Sequence, residues 1–362
     1  MNHVPAFFRV GHFGVVRFVA LLILGLSMAT SLQAQPGQPP LPRRASLTSG
    51  LTVDPSDRVA AVQFYRDQYV MTSSPAPGWT GAVAGCVPGT TSAVFQAAVA
   101  RRINYFRAMA GVPAGVVFAA SLNTKAQAAA LMMSANNNLS HTPPTTWDCY
   151  SSDGVAGAGS SNLVLAVGWD AISIYMADPG ASNSFAGHRR WILYPPTQQM
   201  GTGDIPAATG QSPANALTVF GGTTSDPAPS IREATGFVAW PPRGYVPYPV
   251  VYPRWSFAYP NADFSTTVVT MRDVNNAPVT LTQQPVVNGF GTNTLVWEPA
   301  LSGNGFDGSP PSTDLPFDVT VSNVQIAGQA RTFTYRVTVI DPATTKNKLV
   351  YLPSLSNTVT AP

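Results

Sequence analysis

Apolar residues recur at helical intervals through the first half of the chain and alternate with polar ones through the second. Asp57 to Tyr69 carries Val59, Val62, Phe64, Tyr65 and Tyr69 at helical spacing. A long helix is predicted over about Ser92 to Ala110, with Val94, Phe95, Val99, Ile103 and Phe106 turned to a core. Gly111, with Pro113 beyond it, ends that helix in the usual way. A second helix, about Thr124 to Asn136, is rich in Ala, Leu and Met, opens on Asn123/Thr124 and runs out at Asn136-Asn137-Asn138. Gly154 to Ser161 reads as a small-residue loop. A third helix, about Val167 to Ala177, sets Trp169, Ile172 and Met176 on one side, and Gly187 to Leu193 reads as a short helical turn. After Gly201-Thr202-Gly203 the pattern becomes strand-like, including Leu217 to Phe220.

Near residue 240 the composition changes. Trp240-Pro241-Pro242-Arg243-Gly244 and the prolines up to Pro253 read as a linker or a first irregular strand. Alternating strands follow at Trp255–Tyr259, Thr266–Arg272, Thr294–Trp297, Phe317–Val324 and Arg331–Ile340, separated by turn clusters such as Asn275-Asn276 and Asn288-Gly289. Short strands at regular spacing predict an immunoglobulin-like β-sandwich over 245–342 with a core of its own. The first folded domain is expected over 54–240, a flexible leader over 35–53 and a tail over 343–362.

Composition narrows the setting. Charged residues are 10% of 362, against roughly 25% in an average soluble domain, and there are 34 prolines and 30 glycines. This profile suits an exported protein. Arg9 and Arg17 precede an apolar run, Phe18 to Ala29, too short to span a bilayer, so residues 1–34 read as a signal peptide, with an uncleaved anchor as the alternative. No other segment reads as a membrane span. Without Arg9 and Arg17 the 20 basic residues fall to 18, against 17 acidic ones. No basic stripe is present, which argues against nucleic-acid binding.

Of the four histidines, His3 and His12 lie in the expected signal peptide, leaving His141 and His188 for proton-transfer or metal chemistry. Cys86 and Cys149 are the only cysteines. In an exported chain such a pair reads as one disulfide, the alternatives being a metal pair or two free thiols.

Taken together, Ile103-Asn104-Tyr105-Phe106-Arg107, Leu139-Ser140-His141, Ser160-Ser161-Asn162-Leu163, Gly187-His188-Arg189 and Gly201-Thr202-Gly203 resemble the CAP superfamily over about 92–220. That superfamily comprises cysteine-rich secretory proteins, antigen 5 and pathogenesis-related class 1 proteins, with their bacterial secreted relatives. The resemblance implies an α+β chain: an α-β-α sandwich with a central cleft, followed by the β-sandwich. By position, His141 and His188 match the two cleft histidines, and Asp178 of Tyr175-Met176-Ala177-Asp178 matches the second acid. Ser161 stands where the family has its first glutamate.

The implied role is a secreted protein, extracellular or periplasmic, that binds a small apolar, glycan or peptide ligand in a cleft lined by His141, His188, Asp178 and Ser161. A metal-dependent hydrolase holding a divalent ion such as zinc on His141, His188 and Asp178 is the first rival. A cell-surface adhesion or scaffold protein is the second. Whether the protein is an enzyme stays open at this stage. A Ser161–His188–Asp178 nucleophile set can be drawn, although no Gly-x-Ser-x-Gly elbow accompanies it. Arg189 is expected to pair with an acid, with anion binding by Arg189 and Arg190 as the alternative. Trp147, Trp169, Trp191 and Tyr150 are candidates for a groove or for core packing.

Overall fold

The computed structural model describes residues 50–73 and 75–344. The expected signal peptide, His3, His12, most of the leader and most of the tail lie outside them. The described residues belong to one compact unit.

The fold is α+β. Helix α1 (Arg58–Phe64) is capped by the Asp57 carboxylate, which accepts from the Val59 and Ala60 amides, and it continues as a wider turn over Tyr65–Tyr69. Helix α2 (Ala93–Ala110) begins on the Ser92 hydroxyl, bonded to the Phe95 amide, and ends on left-handed Gly111. Phe95, Val99, Ile103 and Phe106 form its buried stripe, but Val94 in the first turn is 69% exposed. Val59 of α1 is likewise exposed.

Helix α3 (Ala120–Ala135) starts four residues before Thr124. Asn123 is no cap. Its side chain donates to Gln96 and accepts from the Thr202 amide, tying α3 to a strand. Residues 152–159 are helical, not a loop: Ser151 caps α4 (Ser152–Gly159) through the Gly154 amide. The small residues there allow tight packing, since a Cβ on Gly157 would lie 2.2 Å from the Lys125 carbonyl oxygen. Helices α5 (Gly168–Ala177) and α6 (Gly187–Ile192) agree with the periodicity.

Four strands form the first sheet: β1 (Val117–Phe118), β2 (Ser161–Val164), β3 (Gln199–Ile205) and β4 (Ala214–Thr218), in the order β1-β3-β4-β2. Ala214 and Ala216 of β4 face α3 and α4, whereas Leu217 packs with α2 and α5. The sheet is therefore the middle layer of an α-β-α sandwich.

The second half builds two facing sheets. One holds β5 (Val238–Trp240), β7 (Trp255–Ala258), β10 (Leu281–Gln283) and β11 (Thr294–Pro299), in the order β10-β11-β7-β5. The other holds β6 (Gly244–Pro247), β8 (Val268–Arg272), β9 (Pro278–Val279), β12 (Leu315–Ile326) and β13 (Gln329–Ile340), in the order β6-β13-β12-β8-β9. The first strand is thus split between the sheets, β6 running parallel to the last strand. All other pairs in the two sheets are antiparallel, several between non-consecutive strands, as in an immunoglobulin-like β-sandwich. Its first strand starts at Val238, inside the segment expected to close the first domain.

The two halves share one core. Phe106 of α2 stands edge-on to Trp240 at 5.1 Å and lies 6.4 Å from Tyr252, and the buried cluster runs from Tyr65 through Trp255, Trp297 and Phe317 to Val339. Arg58 pairs with Asp314 at 3.1 Å, and Arg66 donates to the Pro342 carbonyl at 2.7 Å. The β-sandwich therefore borrows packing from the first half, contrary to the self-contained core expected of it. Cys86 and Cys149 are bonded, across 63 residues of sequence.

Two measurements test this architecture. Phe106→Ala should cost about 3–5 kcal/mol, and calorimetry should show one transition moving as a whole; a second, unshifted transition would mean that the halves unfold separately. Replacing both cysteines by serine should cost on the order of 4 kcal/mol through the freed loop, read as a lowered urea midpoint. An unchanged midpoint would contradict it.

Candidate ligand cleft

His141 and His188 line one cavity of about 390 Å³, with Ser161, Asn162, Trp191 and Phe290 among its walls. His141 follows the end of α3, and its ring Nδ1 lies 2.9 Å from the Ala158 carbonyl oxygen of α4. A carbonyl only accepts, so Nδ1 carries the proton, and in the neutral imidazole Nε2 is left as an acceptor.

His188 sits in the first turn of α6. Two left-handed residues, Asp178 and Ala186, turn the chain so that α6 folds back on the end of α5. The His188 ring Nδ1 then meets Asp178 Oδ1 at 2.7 Å, while Oδ2 accepts from the His188 amide at 2.9 Å and the Arg189 amide at 3.4 Å. Asp178 is fully buried behind the histidine and is not on the cavity wall. It fixes the ring and its tautomer, a task different from that of a cleft ligand.

Arg107 secures α6 from below. It is fully buried and donates to the carbonyls of Pro113, Ile192, Tyr194, Pro195 and Thr197. Burial pushes its guanidinium down to about 9. Arg189 donates to the Met176, Ala177 and Arg254 carbonyls and to the Ser256 hydroxyl. Burial pushes it down to about 10, with nearby Asp178 acting in the opposite direction. Arg190 donates to the Val287 and Thr292 carbonyls. These side chains clamp backbone carbonyls, Arg190 leaving its buried Nε without a partner, and the acid pair expected for the Arg189 side chain is not formed.

Ser161 is buried on β2, with its hydroxyl 2.9 Å from that of Thr218. Its partner is a threonine and not a histidine, so the nucleophile set is not assembled. The two-histidine, acidic metal site implied by the family does not fit either. The family's first carboxylate is absent at Ser161, and Asp178 points both oxygens at α6. Among the described residues no group of three or more His, Cys, Asp or Glu could hold a metal.

Behind the cleft a polar network orders β2. The Tyr175 hydroxyl lies 2.9 Å from both Asn162 O and Asn215 Oδ1 and shares its one proton between these acceptors. Asn215 in turn donates to Asp204 Oδ1 at 2.8 Å. Burial raises the Asp204 carboxyl above its ordinary range, against the hydrogen bonds from Gly168, Asn215 and Thr202. The Tyr175 ring lies 5.3 Å from that of His188.

Of the tryptophans, only Trp191 lines the cleft, with its ring 4.5 Å from Phe220. Trp169 packs on Phe95, and Trp147 joins the second core beside Cys149. Tyr150 is exposed and lies off the cleft wall. Phe185 and Phe290 went unrecognised in the sequence; they meet at 4.7 Å across the two halves of the chain. Phe185 lay beside Gly187-His188, where it could have been suspected. Phe290, about a hundred residues further on, carried no signal.

Residues 100–220 match the family described as CAP, cysteine-rich secretory protein family, and the chain carries that domain. No curated protein matches the chain. Among the described residues no helix is long and apolar enough to cross a membrane.

Asp178→Ala should strand the His188 ring and two amides, at a cost of about 3 kcal/mol. It should also remove the downfield Nδ1 proton resonance of His188. A variant as stable as wild type, with that resonance retained, would show that Asp178 does not hold the ring.

Proposed function

We propose that the cleft binds a small ligand, apolar, glycan or peptide, outside the cell as part of a secreted protein. The carrying observation is the cavity itself: two imidazoles and aromatic rings from both halves of the chain converge on about 390 Å³, within the range of small-molecule sites. Neither Nε2 has a protein partner among the described residues, while each Nδ1 is held. Such fixed, unsatisfied acceptors beside apolar walls suit recognition. The disulfide and the CAP domain accord with an extracellular setting. The metal-dependent hydrolase has weaker support, because the carboxylate it requires faces α6 and not the cavity.

NMR of the full chain tests this reading. His141 and His188 resonances, assigned with His141→Ala and His188→Ala, are followed during titration with palmitate, maltose and the peptide Ala-Phe-Ala. At least one class should shift both imidazoles together, and His188→Ala should weaken that binding about tenfold, equivalent to a hydrogen bond of roughly 1.4 kcal/mol. Silence from both histidines with all three probes would refute the proposal.

A further inference from the structure

The polar groups facing the cleft include several acceptors, beside the Trp191 indole N–H. As neutral imidazoles, His141 and His188 each commit the Nδ1 proton to the protein and keep Nε2 as an acceptor. Asn162 gives an amide proton to the His188 carbonyl at 3.2 Å, and Asn183 gives one to the Pro179 carbonyl at 2.8 Å. Among the described residues neither asparagine Oδ1 has a protein donor. A ligand that satisfies these groups must bring hydrogen-bond donors.

It should not bring a positive charge. The one carboxylate near the histidines, Asp178, is already bonded to His188 and buried, and the Arg190 guanidinium lies 5.8 Å from the Phe290 ring. A neutral molecule with several hydroxyls matches this pattern.

The apolar wall is also specific in shape. Phe290 rides on the loop between β10 and β11, and Arg190 fixes that loop by donating to Val287 O at 2.6 Å and Thr292 O at 3.2 Å. Gly291, at φ +59°, lets the loop close on α6, since a Cβ there would sit 3.2 Å from the Arg190 carbonyl oxygen in an unfavourable left-handed conformation. The β-sandwich thereby presents an aromatic ring beside Phe185 at the edge of the CAP cleft.

We infer that the cleft takes a neutral saccharide, with hydroxyls donating to the imidazole and asparagine acceptors and a ring face lying on the Phe185–Phe290 pair. Phe290 is then a specificity-determining residue supplied by the second half of the chain. The inference rests on the proposed binding function and narrows its ligand class.

The test compares wild type with Phe290→Leu, which keeps apolar bulk on an accessible loop and removes the aromatic face. Maltose should shift both histidine resonances in wild type, and the leucine variant should bind it about three- to tenfold more weakly, as loss of an aromatic contact predicts. Equal maltose affinity in the two proteins overturns the role given to Phe290. If palmitate or Ala-Phe-Ala shifts the imidazoles and maltose does not, the saccharide assignment is overturned while the cleft remains a binding site. If none of the three shifts them, the binding function itself falls, and the inference with it.

Discussion

Guanidinium groups buried without acids are the constraint on which the structure turns. Arg107 lies fully inside the protein and satisfies its fork with five backbone carbonyls drawn from α2's exit and from the irregular chain between α6 and β3. Those carbonyls have no partners in a helix or sheet ladder, and leaving them dry would cost more than the cation does. The same exchange recurs at Arg189 and Arg190. Arg254 differs in being paired with an acid, Glu298, but it too donates to carbonyls, those of Asp178, Gly180 and Asn183. Arginine suits this work because its donors lie in one plane and its charge survives burial. Removing such a clamp would free α6, and the position of the His188 imidazole with it.

Much of this fold was legible in the chain because long elements advertise their period. The stripe Phe95–Val99–Ile103–Phe106 and the alternation in Phe317–Val324 needed no tertiary information. Strands of two to four residues, such as β9 and β10, are too short to show alternation. Helix α4 escaped because glycine and alanine, poor local signals, were selected for close contact with α3. The CAP resemblance singled out His141 and His188, and both line one cavity. Asp178's task did not, because sequence position cannot say whether a carboxylate faces a cavity or the histidine in front of it. Arginine partners were equally hidden, since backbone carbonyls have no sequence identity.

The departure at Ser161 is chemically consistent with its surroundings. A buried hydroxyl on β2 finds another hydroxyl on β4, so the position closes on itself without charge. The cleft floor is consequently neutral, and the one carboxylate behind it serves the histidine. In this chain the Nδ1 of each histidine is held by the protein.

The common core has a consequence for the order of events during synthesis. The aromatic face formed by Tyr69, Tyr105 and Phe106 is covered by Trp240 and Tyr252, and Arg58 meets Asp314. A ribosome makes the first half long before those partners emerge. The nascent CAP segment must therefore hold a partly uncovered apolar surface until the last strands arrive, and contacts of such long sequence separation form slowly. The protein therefore cannot complete its core before its C-terminal half has joined it.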